Sequence, residues 1–358
     1  MIAGYKEILR AEAASGRKFT VLFVLLLCAC IGSIFLASLL GHVSIPARGV
    51  GSSILQGLGL GSARDVDATW KVVVFDIRLS RICLALLVGA ALAVAGTVFQ
   101  GLLRNPLADP FTLGVSTGAA FGASAALFAG AGSAELLGLG LLPLASLGGA
   151  MVALFAVIAL GRVNGQLRRD TMVLAGIVVA TFLSALISLL KALDEESVAS
   201  IVFWVMGSFQ GRGWSHVGLA LPYAIAGLVL IWARSRELDL LSMGDTQAKQ
   251  LGVHSERVRL LLMVGASLLT AAAVSVSGVI GFIGLVMPHL MRMTIGAEHR
   301  RLLVLSALIG GLSLLWSDVV ARTLLPGGEE LPVGVVTALI GGPFFCFLLK
   351  RRRTESEP

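Results

Sequence analysis

Charge is scarce in this chain. Of its 358 residues only 14% are Asp, Glu, Lys or Arg, against about 25% in soluble domains, and 56% belong to the set AVILMFWYC. That excludes a soluble enzyme with one core, and equally a disordered chain, which needs low hydrophobicity. Tyrosine is nearly missing, with two in all. The aromatic platforms of nucleic-acid binding are therefore absent, and the net charge of +7 points to membrane topology instead. The four cysteines, Cys28, Cys30, Cys83 and Cys346, fall in apolar stretches. They read as small buried hydrophobes, with neither disulfide nor metal implied. No G-x-x-x-x-G-K-S/T occurs, so no P-loop binds a nucleotide here. No H-E-x-x-H or Cys/His cluster suggests a metal or cofactor.

What is present is apolar sequence in lengths that suit a bilayer, in which only helices and closed barrels satisfy their backbone. Ten candidate spans follow: 19–40, 82–103, 111–130, 141–161, 171–192, 216–233, 259–277, 279–295, 302–321 and 332–349. The first is too long for a cleavable signal h-region of about 7–15 residues and is read as a retained span. Spans seven and eight are divided at Ser277-Gly278. With both termini placed inside, 20 of the 28 Lys and Arg lie on the inner side and 8 outside, as the positive-inside rule requires. The expected organisation is a single transmembrane domain over 1–358. It has a cytoplasmic N-terminal segment 1–18, an external loop 41–81 and a cytoplasmic segment 234–258. The Lys350–Arg353 run reads as a stop-transfer anchor.

Small residues recur every fourth position, as Ala85, Gly89, Ala93 and Thr97 in span two and as Gly118, Gly122, Ala126 and Gly130 in span three. Such stripes let helices approach closely. Within the spans the one deeply placed carboxylate is Asp318, four residues before Arg322, a spacing that pairs them on one helix face. So few buried carboxylates argue against proton coupling.

Gly114-Val115-Ser116-Thr117-Gly118 matches the G-x-S-x-G pattern, which requires a strand–turn–helix elbow and a base. His289 is the one histidine well inside a span, and beside Pro288 it reads as a packing residue. Arg78, Arg81 and Arg322 gather at one membrane face. Arginine forks bind carboxylates, so they form either a docking rim for an acidic partner or anchors to lipid headgroups. Segment 234–258 reads as two short helical pieces. Leu238 and Leu241 edge the first, Gly244 breaks it, Asp245 caps the second, Ala248 and Leu251 give that piece a face, and Gly252 ends it. Such an element lies in the interface or docks into a partner groove.

Arg78-Leu79-Ser80-Arg81, the run Leu87–Gly96 and Gln100 are followed by Arg104-Asn105-Pro106-Leu107-Ala108-Asp109-Pro110 and Leu113–Ala119. Further on come Leu174-Ala175-Gly176, Trp204–Ser208, Leu251-Gly252-Val253, Gly281–His289, Asp318, Ala321-Arg322, Glu330–Gly334 and Gly342-Pro343. Over about residues 72–350 this order resembles the FecCD-type permeases, the membrane subunits of ABC importers for ferric siderophores, haem and cobalamin. The resemblance implies an all-α polytopic membrane protein of ten helices with the type II importer (cobalamin-importer-like) fold, in a bacterial inner membrane. It implies no catalysis by this chain and no cofactor bound to it, with ATP and Mg used by two cytoplasmic ATPase subunits. It implies a second permease subunit, most simply a second copy, and a periplasmic or lipid-anchored binding protein. It implies that Arg78, Arg81 and Arg322 meet glutamates of that binding protein. It implies too that the segment containing Gly244, Asp245, Ala248, Leu251 and Gly252 sits on the ATPase, that span five lines the path, and that the loop before it forms the inner gate.

Thr171, Thr181, Ser184 and Ser188 are the candidate lining residues, unless their hydroxyls are simply satisfied by the backbone at i−4. Ser80 stands where the family usually has Pro, which leaves the loop geometry there open. The rival readings are an intramembrane serine hydrolase using Ser116 and His289, or an ion-coupled secondary transporter. The sequence does not choose among siderophore, haem and cobalamin; an iron chelate is the expectation because it is the commonest substrate in the family.

Overall fold

Each of the ten apolar stretches becomes a helix in the computed structural model, which describes residues 2–356 apart from 42, 61–66, 133, 137–138 and 164. Arg64 and the side chains of Lys6, Arg10 and Arg351–Arg353, all used in the charge count, lie outside the described residues. In chain order the helices are α1 (Ile2–Leu39), α2 (Ala47–Gly57), α3 (Ala68–Lys71), α4 (Ser80–Leu103), α5 (Val115–Phe128), α6 (Leu141–Leu160), α7 (Arg169–Leu193) and α8 (Glu195–Val205). They continue with α9 (Trp214–Ala233), α10 (Ser235–Met243), α11 (Asp245–Gln250), α12 (Ser255–Ser277), α13 (Ile283–Ile295), α14 (His299–Thr323) and α15 (Val333–Ser356). Among the described residues seven helical runs are long and apolar enough to cross a membrane, and α5, α13 and the Val333–Phe347 part of α15 are shorter apolar helices. Two minimal hairpins, β1–β2 (135–136 with 139–140) and β3–β4 (162–163 with 166–167), tie off the turns before and after α6.

Burial orders these helices. The most apolar windows of α4 and α12 are each 78% buried, whereas that of α1 is 11% buried. An all-round apolar helix such as α4 belongs in the middle of a bundle, and α4 packs against α14, α12, α13 and α9. The small-residue stripes make this possible. A Cβ on Gly89 would sit 2.3 Å from the carbonyl oxygen of Gly310 in α14, and one on Gly118 would sit 2.5 Å from that of Gly149 in α6. Backbone meets backbone at both crossings. Gly89→Val is therefore expected to force α4 from α14 and cost more than the usual ~1–3 kcal/mol of overpacking. Gly148→Ala, where an added Cβ meets nothing within 4 Å, is expected to leave stability unchanged. Thermal unfolding of the two variants in detergent checks this.

Several expectations change. Segment 41–81, expected as an external loop, is largely helical among its described residues: α2 occupies its first half, and a π-helical stretch, Val72–Leu79, runs from α3 directly into α4. Ser80 is accordingly in a helix, where its hydroxyl donates to the carbonyls of Asp76 and Ile77. Residues 195–205, taken as loop, form α8; Asp194 caps it by accepting from the Glu196 N–H, and Ile201 and Trp204 bury its inner face. Cys28 and Cys346 are exposed on helices and only Cys30 is fully buried; all four thiols are free. The break between spans seven and eight falls as expected after Ser277, with Gly278 at φ +69°.

Candidate functional site

The three arginines do converge, at the end of the bundle where α1 finishes and α4 begins. Arg81 grips Asp318 through Nε (3.0 Å) and Nη2 (2.8 Å) and Glu330 through Nη1 (2.8 Å). Arg322 donates to the carbonyls of Leu40 (2.9 Å) and Ala37 (2.8 Å), and Arg78 to those of Ser38 (2.8 Å) and Val43. The last carbonyls of α1 have no helical partners of their own, and these two guanidinia satisfy them. Asp318 is 2% exposed, and its principal partner is Arg81. Arg322, the partner expected from the i, i+4 spacing, stands 3.7 Å away. The arginines thus form a buried network that ties α1, α4, α14 and the segment before α15 together. In this conformation none is an open fork, since Arg78 and Arg322 are each 5% exposed.

At the opposite end lie α10 and α11. Gly244 separates them at φ +156°, a value that L side chains rarely adopt, and Gly252 closes α11 at φ +82°. Leu238, Leu241 and Ala248 are buried within this chain. Leu251 is not: it is 63% exposed, as is Met243 at 67%, so the second piece presents Leu251 outward. Asp245 does not cap α11 with its side chain; its carboxylate accepts from Arg259 at 2.5 Å and lies 4.0 Å from Arg169. Two further clamps hold the pair of helices to the bundle. Arg104, at φ +48°, donates to the Leu241 carbonyl (2.8 Å), and Asp239 accepts from the His299 backbone N–H (2.8 Å) and faces its Nδ1 at 2.6 Å. Nearby, Asp109 folds the turn into α5 by accepting from Phe111 N–H, Thr112 N–H and the Thr112 hydroxyl. Burial raises its carboxyl above the ordinary range, and the Thr112 and Phe111 bonds oppose that. These clamps are between elements distant in sequence, and the one signal that could have found them is the presence of ionisable groups at helix ends.

Between the two ends runs α7. It buries Met172, Ala175, Gly176, Val179, Leu183 and Ile187 on one face. At 100° per residue Thr181, Ser184 and Ser188 fall within about 60° of one another on the opposite face, and all three are exposed. Thr171, half-buried, begins the helix. The Thr181 hydroxyl donates to Ile177 O (2.8 Å) and that of Ser188 to Ser184 O (3.1 Å). The i−4 bonds thus exist for these two, on a face that this chain leaves uncovered.

The hydrolase pattern lacks its structural context. Ser116 is fully buried in the first turn of α5, preceded by a turn rather than a strand. Helix α5 packs on α6, α7, α8 and α12, whereas α13, which carries His289, packs on α1, α4, α14 and α15.

Comparison with known proteins bears on the family and the fold. A family model described as the FecCD transport family matches residues 24–351. The cobalamin import system permease protein BtuC of Halobacterium salinarum is 43% identical over 81% of this chain and 77% of its own length. The hemin transport system permease protein HmuU of Yersinia pestis is 40% identical over 90% of this chain and 96% of its own. A metal-chelate type ABC transporter solved in an inward-facing conformation superposes with a TM-score of 0.79 at 33% identity, covering 93% of this chain and 99% of that one.

Proposed function

The chain belongs to the FecCD transport family, and from that premise we propose the cargo, the partners' seats and the path of this permease. It is a multi-pass membrane protein and the permease subunit of an ABC importer, with no ATPase site of its own. Such a permease works with ATPase subunits and a substrate-binding protein. The cargo proposed is an iron chelate, a ferric siderophore or haem, with cobalamin as the other member of the class. Two permease copies form the core, two ATPases sit on its cytoplasmic side, both termini are cytoplasmic, and the cargo moves by alternating access without chemical change. Charge supports the orientation, since α10, α11, Arg104, Arg168 and Arg169 lie at one end of the bundle, the end richer in Lys and Arg.

The observation that carries the path is the α7 face. Thr181, Ser184 and Ser188 share that uncovered face; the Thr181 and Ser188 hydroxyls are satisfied at i−4, whereas that of Ser184 makes no such bond and is better met by a wetted passage than by hydrocarbon. A second copy facing α7 supplies the other wall. Weak polar lining suits a bulky chelate that must be released. At the α10–α11 end, Met243 and Leu251 project from a clamped platform and form the ATPase seat together with Gly244, Asp245, Ala248 and Gly252. At the other end, docking of an acidic binding protein proceeds by exchange: a partner carboxylate takes Arg81 from Glu330, while Arg78 and Arg322 keep the rim in shape. The test is ATP hydrolysis by the purified complex in liposomes with its binding protein, across ferric siderophores, haem and cobalamin. Stimulation by one member names the cargo, and Arg81→Lys, which keeps a cation beside Asp318 but loses the fork, is expected to weaken that stimulation while sparing basal hydrolysis. No stimulation by any member overturns the cargo assignment.

A further inference from the structure

The ion-pair cluster beside α11 opens onto a cleft of about 900 Å³, walled by the β3–β4 hairpin, the start of α7 and the stretch from α11 into α12. Arg168, Arg169, Lys249, Arg257 and Arg259 line it, against Asp170, Asp245 and Glu256. One of those carboxylates, Asp245, is already taken by Arg259. Two residues of its lining carry donors without a partner among the described residues, the Ser255 hydroxyl and the Arg259 Nε–H. Both belong to residues that are at least nine-tenths buried, at 4% and 5% exposure. A buried donor left unpaired costs free energy, and the rest of Arg259 is fixed by the Leu167 carbonyl and Asp245. Two helix starts also face this space. Neither α7 nor α12 has a side-chain cap on its first turn, and the N–H groups there favour an anion, against the Asp170 and Glu256 carboxylates that stand in the same two turns. Buried donors, two helix starts and a lining of five cationic side chains against three carboxylates define a site for a group with several acceptor oxygens.

We propose that this cleft binds a phosphate oxyanion, with Ser255 and Arg259 as its buried donors and Arg168 at its rim. Two sources carry that chemistry, a soluble phosphate and the headgroup of an anionic phospholipid. Because α7 enters the membrane at this point, the bound group bridges the hairpin and α7 to α12, bracing the proposed path helix against the coupling platform. The site stands apart from the cargo assignment, and its test reads binding rather than transport.

The experiment is calorimetric titration of the full chain in neutral detergent with inorganic phosphate, with dihexanoylphosphatidylglycerol and with dihexanoylphosphatidylcholine. Saturable binding of either anion is expected, weakened about three- to tenfold by Ser255→Ala and about tenfold by Arg168→Gln, as befits charge-assisted hydrogen bonds. Ser255→Ala removes an unpartnered hydroxyl and Arg168 is exposed, so both variants fold. Phosphate binding within tenfold of the anionic lipid assigns a soluble source; tighter lipid binding assigns the headgroup. The site is refuted if neither anion binds, if phosphatidylcholine binds as well as phosphatidylglycerol, or if both variants bind like the wild type.

Discussion

Asp318→Ala is expected to destabilise the folded chain by about 3–5 kcal/mol, because it strands the buried Arg81 guanidinium without its bidentate partner. Against a typical total of about 5–15 kcal/mol, that is a large fraction. Glu330 stays within reach of Arg81 and limits the loss. The paired replacement Arg81→Met with Asp318→Leu is expected to recover most of it, since an ion pair exchanged for apolar groups of similar volume is often neutral or stabilising. Unfolding in mixed micelles, run as a double-mutant cycle, reads both. A variant that keeps Arg81, Asp318→Asn, separates a structural pair from a proton relay. If Asp318 relayed protons, Asp318→Asn would be folded and dead in transport; as a brace, it leaves uptake in proportion to folded protein.

The second large effect concerns coupling. Met243→Asp with Leu251→Asp is expected to release the ATPase subunits and bring ATP-driven uptake to background, while the permease keeps its Tm. Both residues are mostly exposed on the α10–α11 platform, so folding depends little on them. Apolar anchors at the centre of an interface cost about 2–4 kcal/mol or more when truncated, and a carboxylate in that place costs further desolvation. Ala248→Asp, which puts a charge in a fully buried position, is expected to fail differently, by unfolding. Copurification of the ATPase with each variant, beside a thermal melt, distinguishes the two failures.

How much of this was legible in the sequence follows from what each feature depends on. The helices were legible because lipid allows apolar stretches almost no other structure, and Ser277-Gly278 marks its break by composition alone. The α10–Gly244–α11 turn was legible for the same reason, a glycine at a φ that other residues avoid. Asp318 shows where local spacing misleads. The i, i+4 rule finds Arg322, yet the tighter partner is Arg81, 237 residues away in sequence and brought near by the α4–α14 crossing at Gly89 and Gly310. The π-helical approach to α4 was hidden because Val72–Leu79 has no periodicity to distinguish it from a loop. Helix α8 was hidden because its acidic start reads as an exposed turn, although Asp194 there is an ordinary N-cap. Which of Ala248 and Leu251 turns inward was not legible, because a six-residue helix has too little sequence to fix it. The three arginines were found by clustering at one end of the spans, but that clustering did not reveal that they are satisfied internally.

The central claim is that this chain moves its cargo on energy supplied by separate ATPases, with no ion coupling and no chemistry on the cargo. Uptake of a labelled ferric siderophore, haem or cobalamin into proteoliposomes holding the complete complex tests it most directly, with ATP supplied or depleted and with the proton gradient intact or collapsed by a protonophore. The account predicts uptake that requires ATP, is indifferent to the protonophore and delivers the cargo unchanged. Uptake that survives ATP depletion and disappears with the gradient would contradict it.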